Sequence, residues 1–584
     1  MNEDADQTSR RAEVILGFYP RHVHPMTSRW VAALVAGLLV MAACTGSEDQ
    51  GRNGGSSSDA RGETPQGSSN AAPSGAWFER ACKVASEIVT RIRRDDFPGR
   101  SPELIAVPKE PNYFGGFLGT SHSGPWDYVQ EVPLVFYGPG HIRARGEITV
   151  DHEPSVTDLA PTLAELLRTE FPDGRPGRAV TPALEPGAAP PKLVVVVVWD
   201  GGGINTLEAF PDAWPNLKRF MEEGTWLKAT VGSSPSVTPA IHANIGTGAF
   251  PDQHGIVDID IRKGGDTIDS FEDGTPRYLE IPTLGDLYDL ATNNEALVGM
   301  FGTNAWHYGM MSRGAFQDGG DKDIAALVAT DGSKLIGHTR WYSFPEYLNE
   351  VGDLDAAIRA VDQEDGQLDS LWLGNDVLSN TYDAKQTPAL AIYTTEVIEA
   401  VLEREGFGQD DVSDLFFVNY KPIDLVGHRW NMLSPEGESV LRHTDEELGK
   451  LVDHLNGLVG SGNWVLAMTA DHGQTPTANE TPAWPIDMAK LTNDIAEEFD
   501  VTPKRLFDRT RPGHFWIDEP TMKTAGIRAE DIADFISDYR LVTNTSEARP
   551  LTDKYAARAE ERLFSAAWPS KFTDDVSSCV RRRS

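Results

Sequence analysis

Three apolar runs in this chain each lead to groups that can hold a metal ion. "KLVVVVVWDGGG" (192–203) ends on Asp200, "DLFFVNYKPIDLVGH" (414–428) leads through a loop to Asp424 and His428, and "NWVLAMTADHG" (463–473) delivers Asp471 and His472. Carboxylate and imidazole are ligands that Zn²⁺ and Mn²⁺ accept, and this set exceeds what one tetrahedral ion needs. Two ions about 4 Å apart are the economical reading, because such a pair can clamp the attacking and leaving oxygens of an in-line displacement at phosphorus. A nucleophile should follow the first run. Thr238, in "PSVTPAIHANIGTGAFPDQHGI" (235–256), sits at a Thr-Pro turn that can open a helix. The first N–H groups and the positive dipole end of that helix suit an anionic phosphoryl group.

The elements that must position these groups read as an α/β fold. Runs that are apolar at every position are expected of central parallel strands covered on both faces, and ligands gather beyond the carboxyl ends of such strands. Surface ion pairing does not explain carboxylates that follow three apolar strands. Between the second and third runs, residues 434–460 have helical apolar spacing with Pro435 in the first turn, so the unit is βαβ. "EVPLVFYGPG" (131–140) supplies another strand and "VTDLAPTLAELLR" (156–168) an amphipathic helix. The fold class is a mostly parallel central sheet with helices on both faces, plus an inserted cap.

With 88 acidic against 52 basic residues and a formal net charge of −36, the chain lacks the basic face that a nucleic-acid polymer needs. Small phosphorylated substrates remain compatible, given local cations. "RWVAALVAGLLVMAAC" reads as the apolar core of a secretory signal within residues 1–43, with Met26 an alternative start, and its ending resembles a bacterial lipobox that would lipidate Cys44. Residues 44–76 are Gly-, Ser- and Pro-rich and read as a flexible tether. The expected location is therefore the cell surface, through a lipid anchor in the membrane, with simple secretion as the alternative. In an oxidising location the two remaining cysteines, Cys82 and Cys579, would form a disulfide joining the two ends of the folded part.

The ordered set "WDGGG", "SVTPAIHANIGTGAFPDQHGI", "DLVGH" and "TADHG" resembles the alkaline phosphatase superfamily, in particular its type I phosphodiesterase/nucleotide pyrophosphatase branch with a threonine nucleophile. The resemblance implies that Thr238 is the nucleophile and that Asp200, Thr238, Asp471 and His472 hold one metal. Asp424 and His428 would hold the second, together with a histidine from a "G-T-x-H-G" type loop near the end of the domain. Here that loop comes first: "GTSHSG" carries His122, followed by "VPLVFYGPG" and "DLAPTLAELL". The implied organisation is circularly permuted. Residues 77–178 correspond to the family's C-terminal part, 179–191 form a Pro/Ala-rich linker, and 192–584 form the main part, with the cap at about 260–410. His514, in the strand-like "HFWID", is the competitor for His122, while His242 and His254 read as structural groups around the nucleophile helix.

One departure stands out. The family's phosphoryl-binding Asn falls on Ile259, and Asn304 in "FGTNAWH" is the nearest substitute to hand. In the cap, Trp306, Trp341, Tyr342 and Trp372 read as core before they read as a stacking platform. The functional expectation is a hydrolase of phosphoric esters using two divalent ions, Zn²⁺ or alternatively Mn²⁺, and a covalent phospho-threonine. Phosphodiesters are the first choice on the resemblance and phosphomonoesters the runner-up. A surface binding protein that keeps the metals without turnover is the reading of another class.

Overall fold

The computed structural model describes residues 73–583 except Asp353. The expected signal segment, Cys44 and nearly all of the tether lie outside the described residues. Among the described residues no helix is long and apolar enough to cross a membrane.

Leu193–Trp199 is a fully buried strand within a nine-stranded sheet. Its side chains alternate between two cores. Val195, Val197 and Trp199 join the helices Ala389–Glu405 and Pro435–Leu458 on one face, while Val194, Val196 and Val198 join the helices Leu159–Leu167 and Thr238–Thr247 on the other. That double burial is why none of these positions is polar. Strands Asp414–Tyr420 and Trp464–Ala470 flank it in parallel, pairing Tyr420 and Ala470 with Trp199. The register decides the chemistry, because the next residues along the three strands, Asp200, Lys421 and Asp471, leave the sheet side by side.

Beyond Asp414–Tyr420 the sheet continues in parallel with Val298–Gly302 and Ile324–Val328. Two sheet strands and the helix Ala389–Glu405 thus come from inside residues 260–410, the stretch expected to be an inserted cap; short buried strands of five residues gave no alternation to mark them. On the opposite side Glu131–Tyr137 pairs antiparallel with both Trp464–Ala470 and Thr225–Thr230. Tyr342 and Trp372 are buried in the two separate cores, and Trp306 and Trp341 pack, partly buried, against the core that holds Tyr342.

A second, antiparallel sheet has the order Phe507–Arg511, His514–Ile517, Leu104–Pro108, Phe564–Pro569. The early strand Leu104–Pro108 thus lies between two late ones. The helices Ser86–Arg93 and Thr573–Arg581 are joined by an Arg93–Asp574 ion pair at 2.7 Å, and Cys82 is disulfide-bonded to Cys579 with their Cα atoms 5.5 Å apart.

Candidate active site

Asp424 and His428 do not sit on a loop. Pro422 starts a helix, Pro422–Trp430, and the i, i+4 spacing puts both side chains on one face. The Asp424 Oδ1 lies 3.2 Å from His428 Nε2 and 3.7 Å from His122 Nε2, so these three form one candidate metal group. Asp200, Asp471 and His472 form another, with His472 Nε2 3.6 Å from Asp200 Oδ1 and 3.4 Å from Asp471 Oδ2. The groups adjoin: the His122 and His472 rings stack with centroids 3.6 Å apart, and His472 Nε2 is 3.9 Å from Asp424 Oδ1.

The loop 119–122 reaches the site by backbone contact. Thr120 N–H donates to Gly427 O at 2.9 Å, and Ser236 Oγ donates to His122 O at 2.5 Å. A Cβ on Gly119 would stand 1.8 Å from His428 O, so only glycine permits this approach. Gly201, at φ +75°, turns the chain after Asp200, and its N–H donates to Asp471 Oδ1 at 3.0 Å.

The residues present fit metal ions, as the hydrogen bonds of the histidines show. His122 Nδ1–H donates to Ser236 O at 2.7 Å, His428 Nδ1–H to Thr120 O at 2.9 Å and His472 Nδ1–H to Gly473 O at 3.0 Å. Carbonyls only accept, so each Nδ1 carries a proton and each Nε2, facing the carboxylates, is the ring atom left for an ion. His472 Nε2 and Asp471 Oδ2 are buried and have no hydrogen-bond partner, an arrangement that is costly unless a cation completes it.

Burial pushes the His122 imidazole well below its usual range, with His472 adding to the effect, and burial likewise lowers His472. Burial raises Asp471 well above the usual carboxylate range, and neighbouring Asp200 raises it further. Asp424 goes the other way. Burial alone would raise it, but His428 and Lys421 outweigh that and hold it well below.

The Thr238 hydroxyl sits in the first turn of the buried helix Thr238–Thr247. Beside it is a residue the sequence reading passed over. Lys421 Nζ donates to Asp200 Oδ1 at 2.7 Å and to Thr238 Oγ1 at 3.3 Å, and lies 2.8 Å from Asp424 Oδ2. It thus touches one carboxylate of each metal group and the hydroxyl. Burial opposes its charge, but Asp200 and Asp424 outweigh that and keep the ammonium protonated well above its ordinary value. The missed signal was the register, which sets position 421 level with Asp200 and Asp471.

Other expectations resolve differently. His514 Nδ1 bonds Asp258 Oδ2 at 2.9 Å, away from Asp424. His242 donates from Nδ1 to Thr238 O at 2.8 Å while its Nε2 accepts from Asn419 Nδ2 at 3.0 Å, so its lone pair is taken. His254 bonds Asn244 Oδ1 at 2.8 Å inside the core. Asn304 spends its carbonyl capping a 3₁₀ turn, accepting from Trp306 N–H at 3.1 Å. His307 was not singled out; its Nδ1 accepts from Thr303 N–H, leaving the Nε2–H buried, without a partner and 3.8 Å from Asp200 Oδ2.

The profile of type I phosphodiesterase / nucleotide pyrophosphatase matches residues 194–549. The chain belongs to the type I phosphodiesterase / nucleotide pyrophosphatase family. It is therefore a phosphoester hydrolase of the alkaline phosphatase superfamily. The stretch that matches this family holds Asp200, Thr238, Asp424, His428, Asp471 and His472 and stops short of His122. Alkaline phosphatase PafA of Elizabethkingia meningoseptica is 22% identical over 402 residues, 59% of this chain and 72% of that protein. Alkaline phosphatase PhoV of Synechococcus elongatus is 25% identical over 338 residues, 49% of this chain and 60% of PhoV. The crystal structure of wild-type PafA superposes with a TM-score of 0.48 at 20% identity, covering 59% of this chain and 76% of PafA.

Proposed function

We propose that this chain hydrolyses small phosphoric monoesters through a covalent phospho-threonine on Thr238. Asp200, Thr238, Asp471 and His472 would hold one divalent ion and His122, Asp424 and His428 a second, Zn²⁺ or Mn²⁺. When bound, the two ions would neutralise phosphoryl oxygens and favour ionisation of an alcohol or water between them. The observation that carries the reading is the set of three Nε2 atoms, each turned toward the carboxylates by an Nδ1–H donated to a backbone carbonyl, beside the Thr238 hydroxyl.

In the first step Thr238 Oγ forms a bond to phosphorus and the ester oxygen departs with the bond electrons, taking up a proton. In the second, water forms the new P–O bond and Oγ leaves, regaining its proton. The N-terminal turn of the Thr238–Thr247 helix faces the developing charge. Lys421 is fixed 3.3 Å from Oγ and supplies one positive charge beyond the ions, placed for a phosphoryl oxygen. This is the extra charge that a monoester needs, and it offsets the amide lost at Ile259. That two curated relatives are alkaline phosphatases points the same way. The motifs alone favoured the diester, which becomes the second reading.

We also propose that residues 77–178 are the family's C-terminal part in permuted order, supported by the strand Leu104–Pro108 lying between two late strands and by the Cys82–Cys579 bond across the join. That disulfide also favours a location outside the reducing cytoplasm. The anchoring of Cys44 belongs to the same proposal.

The test is hydrolysis of p-nitrophenyl phosphate against bis(p-nitrophenyl) phosphate with added Zn²⁺ or Mn²⁺, for the native chain, Thr238→Ala and Lys421→Gln, with acid-quenched protein analysed for phospho-threonine. Monoester turnover and the adduct should both vanish in Thr238→Ala. Lys421→Gln should lower monoester kcat/KM by about 10²–10³-fold, as removal of one charge-stabilising donor does, and the diester rate less. A diester preference in the native chain would install the second reading. Metal binding without turnover of either ester would leave the binding-protein reading.

A further inference from the structure

Away from the catalytic centre, three carboxylates converge where the helix Leu284–Ala291 meets the segment leading into the strand Ile324–Val328. Asp289, Asp321 and Asp323 each offer an oxygen, all within 4.8 Å of one another. Asp289 and Asp323 are buried and Asp321 is exposed. The buried Asp289 Oδ1, in a residue only 3% exposed, has no hydrogen-bond partner.

The surroundings supply no counter-charge. Lys322, between two of the aspartates in sequence, turns away and donates to Thr339 O. Arg313 is committed to Asp286, with Nε 3.2 Å from Oδ2. The donors that reach the group are neutral: the Ser312 hydroxyl donates to Asp323 Oδ2, and the Asp321 backbone N–H to the Asp289 carboxyl. Three carboxylates sharing one small volume without a cation repel one another, and two of them also lose hydration. Their all-oxygen donor set matches hard cations, and the spacing suits a calcium shell with oxygens at about 2.3–2.6 Å from the ion.

We propose that Asp289, Asp321 and Asp323 form a structural calcium site, separate from the catalytic metals and independent of the reading of the reaction. Exposed Asp321 gives the entry path, and solvent completes the shell on that side. The site has a mechanical consequence. The helix carrying Asp289 rests on Met311, where a Cβ on Gly285 would come within 2.3 Å of Met311 O. The preceding turn, Ala305–Met310, lies directly on the nucleophile helix, with Gly246 facing Gly309 O at 2.3 Å from its would-be Cβ. An ion tying Asp289 to Asp321 and Asp323 would join this helix to the segment entering the strand Ile324–Val328, a contribution to stability that leaves the reaction itself untouched.

The experiment uses the purified full chain, its catalytic groups first saturated with Zn²⁺. Calcium binding is measured by equilibrium dialysis, and thermal unfolding is followed with and without calcium, for the native chain, Asp289→Asn and Asp321→Asn. Asp321 is exposed, so its variant does not depend on repacking a core. The native chain should retain one calcium equivalent, and its Tm should climb with calcium concentration by mass action. Both variants should lose that equivalent while ester hydrolysis stays unchanged. Without calcium, Asp289→Asn should be at least as stable as the native chain, because it removes repulsion; with calcium the order should reverse. The competing account is a proton shared between Asp289 and Asp321, whose carboxyls are close enough to hydrogen-bond. It wins if no calcium is retained, if both variants retain it equally, or if Asp289→Asn changes Tm by the same amount in both buffers.

Discussion

Replacing Gly119 by alanine tests how His122 is brought to the second metal group. The added Cβ would meet His428 O at 1.8 Å and His428 C at 2.7 Å, where non-bonded carbons keep beyond 3.0 Å, so the loop or the helix Pro422–Trp430 must give by more than about 1 Å. The obstacle is backbone, and no side-chain rotation relieves it. The shift acts on three contacts at once: Thr120 N–H to Gly427 O, His428 Nδ1–H to Thr120 O, and the Asp424–His122 pairing. Loss of the groups that orient metal ligands costs about 10–100-fold in metal affinity. A misplacement near 1 Å costs about 100-fold in rate, or about 2.7 kcal/mol in the barrier. The loop carries its own control, because a Cβ on Gly116 would meet nothing within 4 Å. Metal content after dialysis and kcat/KM should fall together in Gly119→Ala and hold in Gly116→Ala. If Gly119→Ala keeps both metal equivalents and native kcat/KM, this approach does not deliver His122; equal losses in both variants would show that the whole loop is sensitive, not the Gly119 contact.

Two further outcomes follow from buried histidines that neither of the two proposed ions uses. His514 is spent on Asp258, so His514→Ala should retain two metal equivalents and ester hydrolysis while losing stability; loss of one equivalent in metal analysis would make it a ligand after all. Burial holds His242 down to about 4 and His254 down to about 3, so both stay neutral in the folded chain, while the unfolded chain takes up their protons below about pH 6.5. Their stabilisation is complete above pH 6.5 and is lost as pH falls toward 4, at up to about 1.4 kcal/mol per pH unit for each imidazole. His254→Gln should therefore flatten urea-unfolding stability against pH between 6 and 4, and an unchanged slope would contradict the assignment.

Much of the candidate site was legible because its residues follow fully apolar strands. A strand with no polar position must be covered on both faces, which places it centrally and makes the first polar residue after it conspicuous, as with Asp200 and Asp471. Asp424 was found the same way, yet reading its surroundings as a loop lost the helix geometry that aims Lys421, i and i+3 from Asp424, into the same space. His122 was legible only through family resemblance. A histidine between two serines carries no local signal, and the contacts that position it lie more than 100 residues away. Length misled in the region 260–410, where five-residue buried strands are too short to show a period.

The electrostatics of the whole chain explain why, in the proposed mechanism, Lys421 would matter more than one charge elsewhere. A molecule of net charge −36 repels a phosphate ester at long range. Salt screens that field over roughly 10 Å, so capture rests on what lies within a few ångströms of phosphorus. There the described structure sets three buried carboxylates, Asp200, Asp424 and Asp471, against one ammonium. Two divalent ions held there would reverse the sign of that balance, the Lys421 ammonium already being counted in it. A lysine in solvent would add almost nothing to this, but one held by Asp200 and Asp424 beside Thr238 is already oriented when the ester arrives, so little reorganisation opposes its contribution. The same burial that makes the site costly to fold without metal is what makes its charges effective once metal is bound.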